Sequence, residues 1–264
     1  MNFRDFRFQM GLLALAIAFL STVPAAAAET LPDPLGLRAG CIQKKALPPE
    51  ELKTLLIADG TALSQALAFM RPAVRATVIL TTAACEQDVC DKLSPSGTGV
   101  VVSSSGLVLT AFHVIRDTAV IKATFRDVDA DGYMVTTART VRAKVIAVAP
   151  DKDVALLQLI EKSDYPHLPI DCRWQALRRS PVWHFGQKSG WGFGQVTLQS
   201  TVSIDISGVY ETTAQARPGD SGAPFVKTTG ELIGILLSRK GDDRSYYMPV
   251  ADAIAALEKA AAAR

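Results

Sequence analysis

Three histidines and four cysteines are the whole stock of imidazole and thiol in 264 residues. They form neither a C-x-x-C pair nor a Cys-His cluster, so no metal site is expected. An excess of charge is missing too. The formal net charge is +2, too weak a field for nucleic acid to be an expected partner. No glycine period and no heptad excess of Ala, Glu, Lys and Leu occur, which excludes collagen-like and coiled-coil chains. With 48% hydrophobic and 20% charged residues, the composition also excludes a disordered polymer. No internal repeat of fixed period is present. After residue 23 no apolar run is long enough to cross a bilayer.

What is present begins with an export signal. Arg4 and Arg7 precede the apolar run Gly11–Val23, and Pro24 and Ala25–Ala28 supply small residues before Glu29. This is the layout of a cleaved secretory peptide over 1–28. The run falls short of the about 20 residues that a membrane span requires. No membrane anchor is therefore expected after its removal. The expected location is periplasmic or extracellular, where thiols oxidise. Cys85 and Cys90 are close enough to staple one loop, which leaves Cys41 to pair with Cys172. On the loop-entropy account the short bridge contributes roughly 2 kcal/mol and the long one approaches about 5.

The mature chain divides by periodicity. Residues 29–72 form an N-terminal arm with helical spacing over Glu50–Arg71, where Leu52, Leu55, Leu56, Leu63, Leu67 and Met70 recur at threes and fours. From residue 73 the pattern is all-β. Short Val-, Ile- and Thr-rich runs alternate with turn residues. Strands are expected over 76–81, 99–103, 107–111, 119–125, 133–137, 141–148 and 154–160. A second group follows over 182–185, 195–206, 209–213, 223–226, 232–237 and 246–249. The pattern fits a barrel or a sandwich, and about six strands on each side of 161–180 imply two β-units, one over about 73–162 and one over about 175–250. A helix over about 250–263 closes the chain. Gly186–Gly194 is Gly-rich without P-loop order, so a mobile loop is expected there. Asp127–Gly132 (DVDADG) copies half of an EF-hand loop, but Ala138 stands where a bidentate Glu is needed. A charged hairpin tip is the better reading. His184 is expected to be structural or at a rim, and His167 to face solvent.

Three segments carry chemistry. In 97–115 (GTGVVVSSSGLVLTAFHVI) a hairpin ends at His113. In 149–160 (APDKDVALLQLI) Asp153 precedes an apolar run. In 216–226 (ARPGDSGAPFV) Ser221 sits between glycines on a loop entering a strand. A serine hydroxyl is a weak nucleophile unless an imidazole removes its proton, and the imidazole needs a carboxylate to fix its tautomer. The turn at Ser221 can also aim the backbone N–H groups of Gly219 and Ser221 at one point, as an oxyanion hole requires.

Taken in order, these segments resemble the chymotrypsin-fold serine peptidases, with likeness to the bacterial HtrA-type and glutamyl-endopeptidase-like branches. The likeness rests on G-T-G-V-V-V…G-L-V-L-T-A-F-H-V, D-V-A-L-L-Q-L and T-T-A-Q-A-R-P-G-D-S-G-A-P, with V-W-H-F-G-Q, G-F-G-Q-V-T and G-E-L-I-G-I-L in the second half. It covers roughly 73–255. It implies an all-β, double six-stranded antiparallel barrel with a helical arm before it and a C-terminal helix after it. It implies His113 as general base, Asp153 as orienting acid and Ser221 as nucleophile. It implies a peptidase acting on polypeptides through an acyl-enzyme, without a cofactor. No PDZ domain is expected after the barrel.

Two departures stand out. Ala223 replaces the second Gly of G-D-S-G-G-P, which is tolerable where φ is negative. No Ile-Val-Gly-Gly start precedes the first barrel, so Asp220 needs another partner, for which Arg217 or a neighbouring Lys is a candidate, or faces solvent. By the same resemblance Gln215 lies at the base of the substrate pocket, and Leu237, Ser238 and Arg239 form one wall. This leaves a preference for acidic or for small aliphatic side chains open. The sequence is silent on oligomeric state. The alternative to an exported endopeptidase is a catalytically silent barrel serving as a secreted binding module. The other rival is an α/β-hydrolase or GDS-type esterase reading of Gly219-Asp220-Ser221; those folds place the nucleophile before the histidine, and no His follows residue 184.

Overall fold

The computed structural model describes residues 33–41, 70–84, 94–129, 134–203 and 205–263. The expected signal segment, most of the expected helical arm, Cys85, Cys90 and the tip of the DVDADG segment lie outside the described residues.

The β-rich runs close into two antiparallel barrels. The first contains β1 (Thr77–Ala83), β2 (Ser94–Val101), β3 (Leu107–Ala111), β4 (Val120–Val128), β5 (Met134–Ala149) and β6 (Val154–Leu159), in the order β1-β2-β3-β6-β5-β4. The second contains β7 (Pro181–Gly186), β8 (Gly190–Ser203), β9 (Ile206–Thr212), β10 (Pro224–Val226), β11 (Leu232–Lys240) and β12 (Arg244–Pro249), in the order β10-β11-β12-β9-β8-β7. Closure gives every strand a paired neighbour on both sides.

Side-chain alternation explains most of the packing. In β4, Ile121, Ala123 and Phe125 are buried while Val120, Lys122 and Thr124 are half-exposed. β6 is apolar almost throughout, because α2 (Val250–Ala262) covers its outer face. That helix buries Val250, Ala253, Ile254 and Leu257, one stripe at helical spacing. It leaves barrel 2 at Pro249 and packs on β5, β6 and β11.

Two expected elements change. The separate strands over 133–137 and 141–148 are one strand, β5, since Ala138-Arg139-Thr140 contains no turn former and Thr140 pairs with Thr124. The Gly-rich stretch expected to be a mobile loop is the start of β8, with Gly192 opposite His184 and Gly194 opposite Val182. Its glycines accommodate close neighbours: a β-carbon on Gly192 would lie 2.1 Å from the His184 ring.

The segment 33–41 is tied to this body. Leu37 is buried in the main core, and Arg38 forms a bidentate pair with Glu258 on α2. Cys41 bridges to Cys172 across 131 residues of sequence. It also pairs in parallel with Ile170, which pairs in turn with Leu232. A loop of that size gives the bridge about 4 to 5 kcal/mol in the chain-entropy account. Cys41→Ser/Cys172→Ser should therefore lower the unfolding free energy by up to that amount in urea titrations. A change under about 1 kcal/mol would show that native packing, not loop closure, holds this segment.

Candidate active site

The seam between the barrels collects the three chemical segments. β3 delivers Ala111, after which α1 (Phe112–Ile115) makes a single turn bearing His113. The 3-10 turn Pro150–Lys152 ends at Asp153, whose φ of 51° and ψ of 43° are left-handed. Asp tolerates that conformation better than most residues. It turns the carboxylate back over α1. Asp153 Oδ1 accepts the backbone N–H of His113 at 2.8 Å, and Oδ2 lies 2.7 Å from His113 Nδ1. The Asp153 carbonyl also accepts the N–H of Phe112 at 3.0 Å. A carboxylate only accepts, so this contact places the imidazole proton on Nδ1 and leaves Nε2 with its lone pair. The His113 side chain is 41% exposed and that of Asp153 13%, so the imidazole is accessible while the carboxylate is shielded.

Ser221 sits on a turn docked against the same strands. Thr98 donates its N–H to the Ser221 carbonyl at 2.8 Å and its hydroxyl to the Gly219 carbonyl at 3.1 Å. Gly222, with φ of 85°, lets this turn press on β2 and β3. A β-carbon there would lie 2.0 Å from the Thr98 carbonyl and 2.3 Å from Thr110 Oγ1. Ala223 is buried with φ outside the left-handed region. The Ser221 hydroxyl donates to the Leu237 carbonyl at 3.5 Å. Among the described residues it shares no hydrogen bond with His113. The N–H groups of Asp220, Gly222 and Ala223 are taken by Arg217, Leu236 and Asp220 carbonyls. Those of Gly219 and Ser221 have no acceptor among the described residues, and they flank the serine.

Comparison with known proteins now decides the family. The family described as trypsin-like peptidase domain matches residues 97–235, just over half of the chain. The chain belongs to that family. It is 30% identical over 159 residues to protease Do-like 1, chloroplastic, of Arabidopsis thaliana, covering 56% of this chain and 34% of that protein. It is 31% identical over 149 residues to a probable periplasmic serine endoprotease DegP-like of Pseudomonas fluorescens, covering 53% and 28%. It thus spans about a third or less of these curated relatives. Among solved structures, the serine endoprotease from Yersinia pestis superposes with a TM-score of 0.60 at 23% identity, over 78% of this chain and 68% of that one. The MamO protease domain from Magnetospirillum magneticum gives 0.56 at 19%, over 70% and 96%. The double barrel is therefore the fold of this trypsin-like chain.

Asp220 has a different environment from the one expected. It is fully buried, and the Arg217 and Lys188 side chains are exposed. Its carboxylate accepts backbone N–H groups instead: Lys188 at 2.7 Å, Ser189 at 3.2 Å and Arg217 at 2.7 Å. Two further buried groups share this pocket. Arg126 donates to the Gly186 carbonyl at 2.8 Å, and His184 Nε2 is 3.0 Å from Ser189 Oγ. Thr98, Thr110, Arg126 and Ser189 all escaped the sequence reading, since strand Thr and Arg residues carry no motif.

Burial pulls the His184 imidazole down to about 4, against the opposing field of Asp220. The folded protein then holds it neutral while the unfolded chain binds a proton below its ordinary value of 6.5. Its contribution is complete above pH 6.5 and is lost as pH falls towards 4, by up to about 3 kcal/mol. Urea midpoints should fall over that window, and His184→Gln should flatten the slope. An unchanged slope would locate the acid sensitivity elsewhere.

The expected pocket residues are arranged as follows. Leu237 is buried, and a register shift between Leu236 and Ser238 leaves its carbonyl facing Ser221. Arg239 turns to the Gly241 carbonyl and Asp242. Gln215 is exposed, whereas Ala214 and Ala216 on either side are buried. Ser245, opposite Arg239, donates its hydroxyl to the Ala214 carbonyl at 2.7 Å and ties this segment to β12. His167 is exposed.

Proposed function

We propose that this chain is an exported serine endopeptidase, in which Ser221 attacks the peptide carbonyl, His113 takes and returns the proton, and Asp153 orients His113. The observation that carries the reading is the double contact of Asp153 with His113, on the ring and on the backbone, beside the Ser221 turn. It supports a base whose free Nε2 faces the opening. Gly97 lies between Val114 and the Ser221 carbonyl, where a β-carbon would be 2.5 Å from Val114 and 3.0 Å from that oxygen. The serine turn therefore packs on the turn that carries His113. The reading requires rotation about χ1 of Ser221 to exchange its weak bond to Leu237 for one to the imidazole. The open N–H groups of Gly219 and Ser221 supply donors for the developing oxyanion. The signal-like segment 1–28, the Cys41–Cys172 bridge and the periplasmic naming of DegP-like relatives support export.

A second reading has one observation in its favour: Ser221 is bonded to Leu237 and not to His113. This is the silent barrel acting as a binding module. A fluorophosphonate probe distinguishes the two. The peptidase should be labelled at Ser221, lose labelling in His113→Ala, and cleave a denatured protein. Folded protein that neither labels nor cleaves would establish the silent barrel.

A further inference from the structure

The residue before the nucleophile is a buried carboxylate, and the group that balances its charge comes from the other barrel. Asp220 is 0% exposed and its hydrogen-bond partners are backbone N–H groups, which carry no net charge. A buried carboxylate without a counter-ion is costly. The exposed Lys188 and Arg217 side chains point to solvent, and burial keeps His184 neutral. Arg126 remains. It is 7% exposed, donates once through Nη1 to the Gly186 carbonyl, and leaves Nε without a partner among the described residues. Burial pulls its guanidinium down from its ordinary value, and the field of Asp220 opposes that effect. Gly186 lies between the two: its carbonyl holds Arg126, and a β-carbon on it would be 2.3 Å from the Asp220 carboxyl carbon. A side chain so buried and so sparingly hydrogen-bonded is explained by its charge.

Arg126 reaches this position from β4. Successive strand side chains point to opposite faces, so Phe125 and Arg126 are both buried although they are neighbours: Phe125 is in the core, and Arg126 meets the Gly186 carbonyl of the other barrel. Beside it the register of β4 against β5 shifts between Thr124 and Arg126, with the extra residues on β5.

We propose that Arg126 is the fixed buried cation opposite Asp220, and that through Asp220 it is a positioning residue for the Arg217–Ser221 turn and its two open N–H groups. The proposal rests on the peptidase reading of that turn. Asp220 ties the turn at Arg217 to the 186–189 corner at Lys188 and Ser189. If its charge is left unbalanced, the corner and the turn both lose their anchor.

The test separates charge from hydrogen bonding. Arg126→Lys keeps the charge; Arg126→Gln keeps a donor for Gly186 and removes the charge. Fluorophosphonate labelling of Ser221 should slow by about 100-fold in Arg126→Gln, the effect of losing an oxyanion donor. Arg126→Lys should stay within about tenfold of the parent. A lysine variant no better than the glutamine variant, or a glutamine variant that labels normally, would overturn the proposal. Urea unfolding of Arg126→Gln, Asp220→Asn and the double variant gives a reading independent of activity. Removing both charges should cost less than the two losses multiplied; simple multiplication would mean that the two do not interact, also against it. If the parent protein itself is not labelled, the peptidase reading fails, and the unfolding cycle alone then decides whether Arg126 balances Asp220.

Discussion

Ser221→Ala should lower turnover of a denatured-protein or peptide substrate by about 10⁶ while leaving KM nearly unchanged, on the scale of other serine peptidases that lose the nucleophile. The reason lies in what the hydroxyl does and does not touch. Among the described residues its one hydrogen bond is to the Leu237 carbonyl at 3.5 Å, too long and too weak to matter to the fold. Stability should shift by no more than about 0.5 kcal/mol. The Thr98 contacts to Ser221 and Gly219 run through the backbone, so the turn keeps its shape without the hydroxyl. The open N–H groups of Gly219 and Ser221 also stay in place. On the proposed reading substrate binding is retained, and the bond-forming atom alone is lost. Retention of more than about 1% of turnover would require another nucleophile. Ser189, already in contact with His184, would be the first to test.

The parts of this site that can be read along the chain are those whose neighbours are local. His113 at a strand end, Asp153 before an apolar run and Ser221 between glycines each carry a signature in their immediate flanks. Two β-units of about six strands follow from period-two alternation and turn residues; their closure into barrels is implied by the resemblance and seen in the sheets. Arg126 illustrates what is not legible. The strand expected there ended at Phe125, where strict alternation stops. The strand continues to Val128, and the face that bears Arg126 is covered by Gly186 of the other barrel, a contact that nothing in the residues 119–128 marks. The pocket around Asp220 fails for a related reason. Its N–H donors belong to backbone at Lys188 and Ser189, and backbone donors have no residue type to search for. The stretch 186–194 reads as a loop because glycine usually marks one. Here the glycines let strand β8 lie against His184 and the 214 segment, where a β-carbon would not fit.

The two barrels consequently have unequal tasks that meet at one seam. Barrel 1 supplies the proposed base and its carboxylate from adjacent strand ends, a local arrangement that needs little from elsewhere. Barrel 2 supplies the serine turn, and its shape depends on β2 through Thr98 and on β3 through Thr110. The site can therefore be damaged from the first barrel without touching a reacting group. Thr98 is the place where that dependence is most direct, since it holds both the Ser221 and the Gly219 carbonyls.

Asp153→Asn should cost about 10⁴ in kcat, following the effect of the same change in related triads, with the fold intact. Asn and Asp both accept left-handed backbone, so the turn after Pro150–Lys152 is preserved. The side-chain oxygen can still accept the His113 backbone N–H at the Oδ1 position. The change falls on the second contact. Where Oδ2 accepts from Nδ1 at 2.7 Å, an amide nitrogen must donate. Donation to Nδ1 requires that nitrogen to be unprotonated, which transfers the proton to Nε2 and removes the lone pair facing the serine. The loss should appear in kcat and in the rate of fluorophosphonate labelling, not in KM, because the open N–H groups and the β11 wall are untouched. It should also shrink at high pH, where hydroxide competes as the base. Asp153→Asn labelling at the parent rate near pH 7 would mean that the carboxylate does not set the tautomer of His113, and the contact on which the peptidase reading rests would then be structural.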